Sequence, residues 1–191
     1  MKLIETALEG VVIVVPDIYG DERGYFFESF NTKSFTKLLG RDIAFVQDNE
    51  SLSHEGVVRG LHFQLPPHAQ SKLVRVVRGS ILDIAVDIRR GSPTFGKYIA
   101  VELSAENHHQ LFIPRGFAHG FRVIKGDAVV QYKCDNHYAP ECEGTIRWDD
   151  PTLAIDWQIG PSYAMVSARD RAAKLLEECD TLFDYNTDYY A

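Results

Sequence analysis

The chain is short of several things, and each shortage excludes something. Only three of its 191 residues are cysteine, Cys134, Cys142 and Cys179. Their number is odd and no two are spaced as CxxC, so they read as reduced thiols of a cytosolic protein and not as a disulfide frame. No stretch approaches the ~18 consecutive apolar residues of a membrane span. The first ten residues carry Glu5 and Glu9 where a signal peptide would need an unbroken apolar run, so the cytoplasm is the expected compartment. Basic charge is scarce as well. Twenty Lys and Arg against 27 Asp and Glu leave a formal net charge of −7, which argues against a general nucleic-acid or membrane-surface binder. An anionic ligand would have to be met by cations gathered locally. A glycine-rich nucleotide-binding loop is missing. So are internal repeats, low-complexity tracts and Pro/Ser-rich linkers, and residues 1–191 read as one domain with a sizeable core.

What is present is a series of short β-rich runs. They fall at residues 11–15, 25–30, 44–47, 57–64, 72–78, 80–87, 97–103, 109–113, 118–123, 127–133 and 155–157. Turn chemistry separates many of them, as at Gly20-Asp21, Arg78-Gly79, Pro114-Arg-Gly116 and Lys125-Gly-Asp127. About ten such runs, many alternating apolar and polar, predict an antiparallel sandwich or jelly roll. Two short helices flank it. Asn31 is placed to cap Thr32–Leu39, with Gly40 ending it in the left-handed conformation. Ser167 is placed to cap a helix over 168–179, with Ala172, Leu175, Leu176 and Cys179 as its apolar stripe. The tail over 184–191 has aromatic residues without periodicity and is expected at the periphery, packed on a neighbour or frayed.

The chemistry centres on Arg59-Gly-Leu-His-Phe-Gln64. Period-two alternation puts His62 and Gln64 on one strand face and Leu61, Phe63 and Leu65 on the other. A lone strand histidine is ordinarily structural, but Arg59, Lys72, His119 and Tyr132 occupy strands or strand ends in the same part of the chain. A histidine base, a tyrosine acid and flanking cations are what proton transfer next to a carbonyl requires. A phenol, with a reference pKa near ~10, stays protonated at neutral pH and can deliver a proton to a carbanion. Taken alone, Tyr132 reads rather as an amphipathic core residue with its hydroxyl at a rim. Asp170 has two readings that are compatible. It completes a Ser167-x-x-Asp170 variant of the capping box, and it is a carboxylate able to orient a histidine base. Arg23, Arg59, Lys72 and Arg169 each fall beside turns or strands, and three or four of them in one cavity would select a diphosphate.

The spacing Pro114-x-Gly116-x-x-His119 matches the second signature of the cupin superfamily. Where metal-binding cupins carry His-x-His and a nearby Glu, this chain reads His62-Phe63-Gln64 with no glutamate at the needed spacing. One or two imidazoles do not fill a site that wants three or four ligands, so no metal is expected. His108-His109 is expected in a solvated turn.

Several words in fixed order then resemble, nearly end to end, the dTDP-4-dehydrorhamnose 3,5-epimerase family. They are Asp21-Glu-Arg-Gly-Tyr-Phe-Phe-Glu28, Phe45-Val-Gln-Asp-Asn-Glu-Ser51, Val58-Arg-Gly-Leu-His-Phe-Gln64, Gln70-Ser-Lys-Leu-Val-Arg-Val76, Phe112-Ile-Pro-Arg-Gly-Phe-Ala-His-Gly-Phe121, Gln131-Tyr-Lys-Cys134 and Ser167-x-x-Asp170. The resemblance implies an all-β, cupin-type antiparallel jelly roll without cofactor, forming a homodimer by strand exchange. It implies epimerisation of dTDP-4-dehydro-6-deoxy-D-glucose at C3 and C5 in dTDP-L-rhamnose biosynthesis. It also implies roles. His62 is the base, Asp170 holds it, Lys72 stabilises the enolate oxygen, and Tyr132 returns a proton on the opposite face. Arg23, Phe26, Glu28, Gln47, Asn49, Arg59, His119, Glu143 and Arg169 line the nucleotide-sugar site, and Tyr138 stacks on the thymine. Arg169 departs from the lysine that family members often carry but keeps the charge. Three alternatives stay open at this point: a mono-epimerase of a related deoxysugar pathway, a cupin that binds a sugar nucleotide without turnover, and a metal-dependent dioxygenase cupin, which Gln64 disfavours.

Overall fold

The structure, a computed structural model, describes residues 1–191. Its strands are β1 (Lys2–Glu5), β2 (Val12–Val15), β3 (Tyr19–Asp21), β4 (Gly24–Phe26), β5 (Gln47–Ser53), β6 (Val57–Gln64), β7 (Lys72–Asp87), β8 (Arg89–Arg90), β9 (Tyr98–Ser104), β10 (Gln110–Ile113), β11 (Phe117–Cys134), β12 (Glu143–Thr145), β13 (Met165–Val166) and β14 (Phe183–Asp184). Two short α-helices accompany them, α1 (Thr32–Leu39) and α2 (Ala168–Arg171). No helix is long and apolar enough to cross a membrane.

The two long strands organise the molecule. Four runs that read separately in the sequence are in fact two strands. Residues 72–78 and 80–87 join as β7, and 118–123 and 127–133 join as β11. The turn signals between them become bends within a continuous ladder. Gly79 takes φ +75°, and the β7–β11 register shifts between Val123 and Val130. A β-carbon at Gly79 would collide with the backbone of Asp127, so only glycine lets the strands stay paired through the corner. Each long strand therefore serves both halves of the barrel. Near its start β7 pairs with β10, and beyond the bend it pairs with β9. β11 pairs with β6 in its first half and with β5 in its second. The main sheet runs β1-β2-β10-β7-β11-β6-β12, with β5, β9 and β13 joining from the side. This is the antiparallel all-β architecture expected of a jelly roll.

Alternation along these strands fills the barrel. Val74, Val76, Ile81, Ala85, Phe121 and Val130 belong to one buried cluster on the inner face, and Leu82, Ile84, Val86 and Ala118 belong to a second cluster on the outer face. Burial on this scale, at roughly 25 cal/mol per Å² of apolar surface, is the main force holding the sheets together. Helix α1 forms as expected. Asn31 Oδ1 accepts from the Ser34 N–H at 3.1 Å, Gly40 ends the helix at φ +72°, and Phe35 is buried.

Three local expectations need correction. The helix after Ser167 stops at Arg171 instead of running to 179, and a single 3-10 turn follows at Leu176–Glu178. Lys174 is drawn into a parallel bridge with Ile146, and the Leu176 N–H is captured by Asp150 Oδ2 at 2.7 Å. These tertiary contacts outcompete continuation of the helix. Residues 155–157 do not form a strand. The backbone turns at Ala154 and Gln158, both at positive φ, and Trp157 is held by its indole N–H to the Trp148 carbonyl at 2.7 Å. His108 is not simply solvated, since it packs against Tyr25 and Phe27 with ring centroids 4.7 and 5.1 Å away.

Candidate active site

At one end the inner face turns from apolar to polar. Opposed residues of neighbouring strands share a face, and the register brings chemically active side chains into adjacent rows. His119 stands opposite His62, Cys134 lies between Gln47 and Lys72, and Tyr132 lies beside Asn49. The result is a hollow of about 240 Å³ whose walls include His62, Lys72, Tyr132, Cys134, Tyr138 and Glu143, with Gln47 and Asn49 at its edge. That is below the ~300 Å³ usual for a whole ligand pocket. It suits a sugar ring, with a bulkier attached group lying on the open surface.

His62 is held from behind. Its Nε2 is 2.7 Å from Asp170 Oδ1, and Asp170 Oδ2 accepts the Gly60 N–H at 3.3 Å. Ser167 Oγ accepts the Asp170 N–H at 3.0 Å. So the helix-capping serine and the catalytic-type carboxylate coexist, and the Asp170 side chain turns to the histidine. Burial alone would push the Asp170 carboxyl up, but the hydrogen bond and charge of His62, with the Gly60 amide and Ser167, outweigh it and hold it below the usual value. With Nε2 committed to Asp170, Nδ1 of His62 has no partner within the chain and is the nitrogen free to take a proton.

Lys72 has its amine moved down from the ordinary lysine value by burial, against the opposing pull of Cys134, Asp83 and Glu143. Its Nζ lies 5.9 Å from the centre of the Tyr132 ring. Tyr132 moves the other way. Burial and the nearby Cys134 raise its phenol, while the Arg59 guanidinium acts in the opposite sense. Desolvation pushes the Cys134 thiol up to about 11. The hollow thus holds one imidazole backed by a carboxylate, one cation and one firmly protonated phenol.

His119 lies beneath this wall. It is buried, and its Nε2 is 2.6 Å from Asp83 Oδ1. Burial pulls the His119 imidazole below its ordinary value despite Asp83, and the charges of Lys72 and His62 act in the same downward sense. Asp83 is fully buried with Oδ2 unpartnered, and it escaped notice in the sequence. The available sign was one acid inside the apolar run Ile81-Leu-Asp-Ile-Ala-Val86.

The rim carries the remaining residues. Glu143 accepts the Tyr138 hydroxyl at 2.8 Å and pairs with Arg169 at 2.7 Å. These contacts leave the Tyr138 ring exposed beside the opening. Gln47 Oε1 accepts the Tyr138 N–H at 3.0 Å. Arg59 does not line the hollow: its guanidinium is tied to Ser53 Oγ at 2.9 Å and reaches Tyr132 only through its charge. Gln64, at the position where a metal-binding cupin has its second histidine, has its amide nitrogen on the carbonyls of His68 and His137 and its oxygen on the Ala139 N–H.

Three expected site residues stand elsewhere in a single chain. Arg23 and Phe26 belong to the β3–β4 hairpin and line a separate surface depression, and Arg23 pairs with Asp21. Phe26 is 71% exposed. Glu28 is exposed and accepts from Asn31 Nδ2 at 3.0 Å. None of the three lines the hollow of its own chain.

With this geometry in hand, the comparisons are direct. A profile described as dTDP-4-dehydrorhamnose 3,5-epimerase matches residues 5–178. The chain belongs to the dTDP-4-dehydrorhamnose 3,5-epimerase family. The enzyme of that name from Salmonella typhimurium is 50% identical over 178 residues, covering 93% of this chain and 97% of the relative. A crystal structure of dTDP-6-deoxy-D-glucose-3,5-epimerase from Legionella pneumophila, in complex with dTDP-4-keto-L-rhamnose, superposes with TM-score 0.93 at 49% identity, covering 97% of this chain and 99% of that one. A 3'-monoepimerase from Streptomyces bikiniensis, in complex with dTDP-quinovose, gives TM-score 0.84 at 36% identity, covering 93% and 88%. The expectations of a dTDP-sugar epimerase and of a cupin-type all-β fold are borne out.

Proposed function

We propose that this protein epimerises dTDP-4-dehydro-6-deoxy-D-glucose at C3 and C5, through the residues gathered in the hollow. The protons at both carbons lie next to the C4 ketone, so removing either leaves negative charge on the C4 oxygen. His62 takes the proton on Nδ1 while Asp170 stabilises the imidazolium through Nε2. The Lys72 ammonium beside the developing enolate oxygen lowers the barrier electrostatically in a site shielded from water. Tyr132 delivers a proton to the opposite face of the carbon, which inverts it. Each round leaves His62 protonated and Tyr132 deprotonated, and exchange with solvent resets both.

Arg169 at the rim supplies a cation for the diphosphate, Tyr138 offers its open ring to the thymine, and Gln47, Asn49, Arg59, His119 and Glu143 complete the binding surface. Arg23, Phe26 and Glu28 take part through a homodimer. The projecting β3–β4 hairpin of one protomer reaches the other's hollow by strand exchange, which accounts for its exposed aromatic residues and for their distance from their own hollow. Three free thiols fit a protein working in the reducing cytoplasm.

The observation that carries this reading is the convergence of the His62–Asp170 pair, Lys72 and Tyr132 on one sugar-sized hollow. Incubation with substrate in deuterated water tests it. Deuterium should enter at C3 and at C5. Uptake at one carbon alone would mark a mono-epimerase, and uptake at neither would overturn the assignment.

A further inference from the structure

The family match ends at residue 178, yet the chain beyond it is docked. β14 pairs with β8, and Phe183 is buried with Tyr189 edge-on against it at 4.9 Å. Tyr190 is wedged between two guanidinium groups, Arg41 at 4.6 Å and Arg115 at 4.8 Å from its ring centre. Its hydroxyl lies 2.5 Å from Ser71 Oγ and accepts the Arg115 backbone N–H at 3.0 Å. The Arg115 side chain donates to the Tyr189 carbonyl at 2.6 Å and to Asp135 Oδ2 at 3.1 Å. Asp135 Oδ1 accepts the Ser71 N–H at 2.5 Å. Tyr190, Ser71, Asp135 and Arg115 thus form a closed ring of polar contacts.

That ring is one peptide away from the hollow. Ser71 immediately precedes Lys72, and Asp135 immediately follows Cys134, the residue opposite Lys72 in the ladder. Ser71 lies just before the first residue of β7, where a strand left unanchored would fray. The Lys72 amine makes no hydrogen bond or ion pair within the chain, so its position rests on its backbone and on the packed walls around its stem. We infer that the tail is a strap which fixes the start of β7, and with it the Lys72 ammonium, and that Tyr190 is a positioning residue for proton transfer. The inference rests on the reading in which Lys72 bears the enolate charge.

Tyr190→Phe keeps the ring between Arg41 and Arg115 and removes only the hydroxyl. A displacement of 1 Å costs about 100-fold in rate, so a partial loosening should lower kcat about tenfold with KM almost unchanged. Ser71→Ala should reproduce the effect, and the two changes together should be no worse than either alone. Melting temperature, recorded in parallel, separates loosening from unfolding. In a Lys72→Met background, followed by long incubation in deuterated water, Tyr190→Phe should cost nothing further, because a residue acting through Lys72 has nothing left to position. Wild-type kcat in Tyr190→Phe, a loss carried by KM, or the full loss persisting without Lys72 would each overturn the strap. Undiminished exchange in Lys72→Met alone would instead refute the role of Lys72, and the strap with it.

Discussion

Asp170→Asn probes the dyad most sharply, because the two residues are nearly the same shape. Asp170 is 3% exposed and uses both oxygens, one for His62 Nε2 and one for the Gly60 N–H. Asparagine has a single acceptor oxygen. If that oxygen stays on Gly60, the new NH₂ faces His62 Nε2 and drives the imidazole proton to Nδ1, the nitrogen that must be bare to act as base. If it turns to His62, the Gly60 amide meets a donor, and the imidazolium formed in turnover loses its counter-charge. A hydrogen bond to a charged group contributes about 1.5–3 kcal/mol, equivalent to roughly 10- to 150-fold in rate. Loss of the correct tautomer in a His–Asp pair costs on the order of 10⁴. The expected fall in kcat therefore lies between about 10² and 10⁴, with KM little changed, since a positioned base contributes in the transition state. Deuterium uptake at C3 and C5, followed by mass spectrometry over time, measures it. Uptake by Asp170→Asn at the wild-type rate would refute the dyad. A second readout comes from linkage. The Asp170 carboxyl is held low in the fold, so it adds stability that is full above its unfolded value near ~3.9 and is lost as pH falls through the lower folded value. The asparagine variant should lack that portion of the acid dependence.

Lys72→Met should nearly abolish exchange yet raise the melting temperature near neutral pH. Burial lowers the Lys72 amine, so the unfolded chain binds more protons than the fold between the lowered value and ~10.4, and the charged lysine is a net destabilising group below that window. For the same reason the alkaline fall in activity should begin below the usual lysine range, and the raised Tyr132 phenol should not contribute to it. Tyr132→Phe should separate the two proton steps: deuterium still enters through His62, while inversion drops by about 10²–10⁴, and chiral analysis of the recovered sugar would show it. Equal loss of exchange and inversion would contradict the assignment. Mixing inactive His62→Asn with inactive Arg23→Ala should restore up to about one quarter of wild-type activity, because a hybrid dimer has one site free of both defects. No recovery on mixing would count against a shared site.

Legibility in the sequence followed how local the determining physics was. The alternation in Leu61-His-Phe-Gln64 set the facing of His62, and Asn31 with Gly40 delimited α1, because each depends on a few neighbouring residues. β5 was seen only at its first residue. Its run Asp48-Asn-Glu-Ser51 is polar on both faces, with Asn49 at the hollow and Asp48 and Glu50 outside it against Lys133 and Gln131, and such a strand carries no apolar signal. The helix expected over 168–179 failed because Asp150 and Ile146, distant in sequence, claimed its backbone. Asp83 was invisible because its importance lies in the register that sets it beside His119. Arg23, Phe26 and Glu28 matched family words without matching a place at the hollow of their own chain, since words record composition and not position in space.

One thiol in the hollow has a consequence for the carbonyl chemistry beside it. Cys134 lines the hollow, and an ionised sulfur there would compete as a nucleophile or invite oxidation. With its proton retained up to about pH 11, the ionised fraction near neutrality is on the order of 10⁻⁴. The sulfur is thus an inert wall, and iodoacetamide should alkylate the folded enzyme there only slowly.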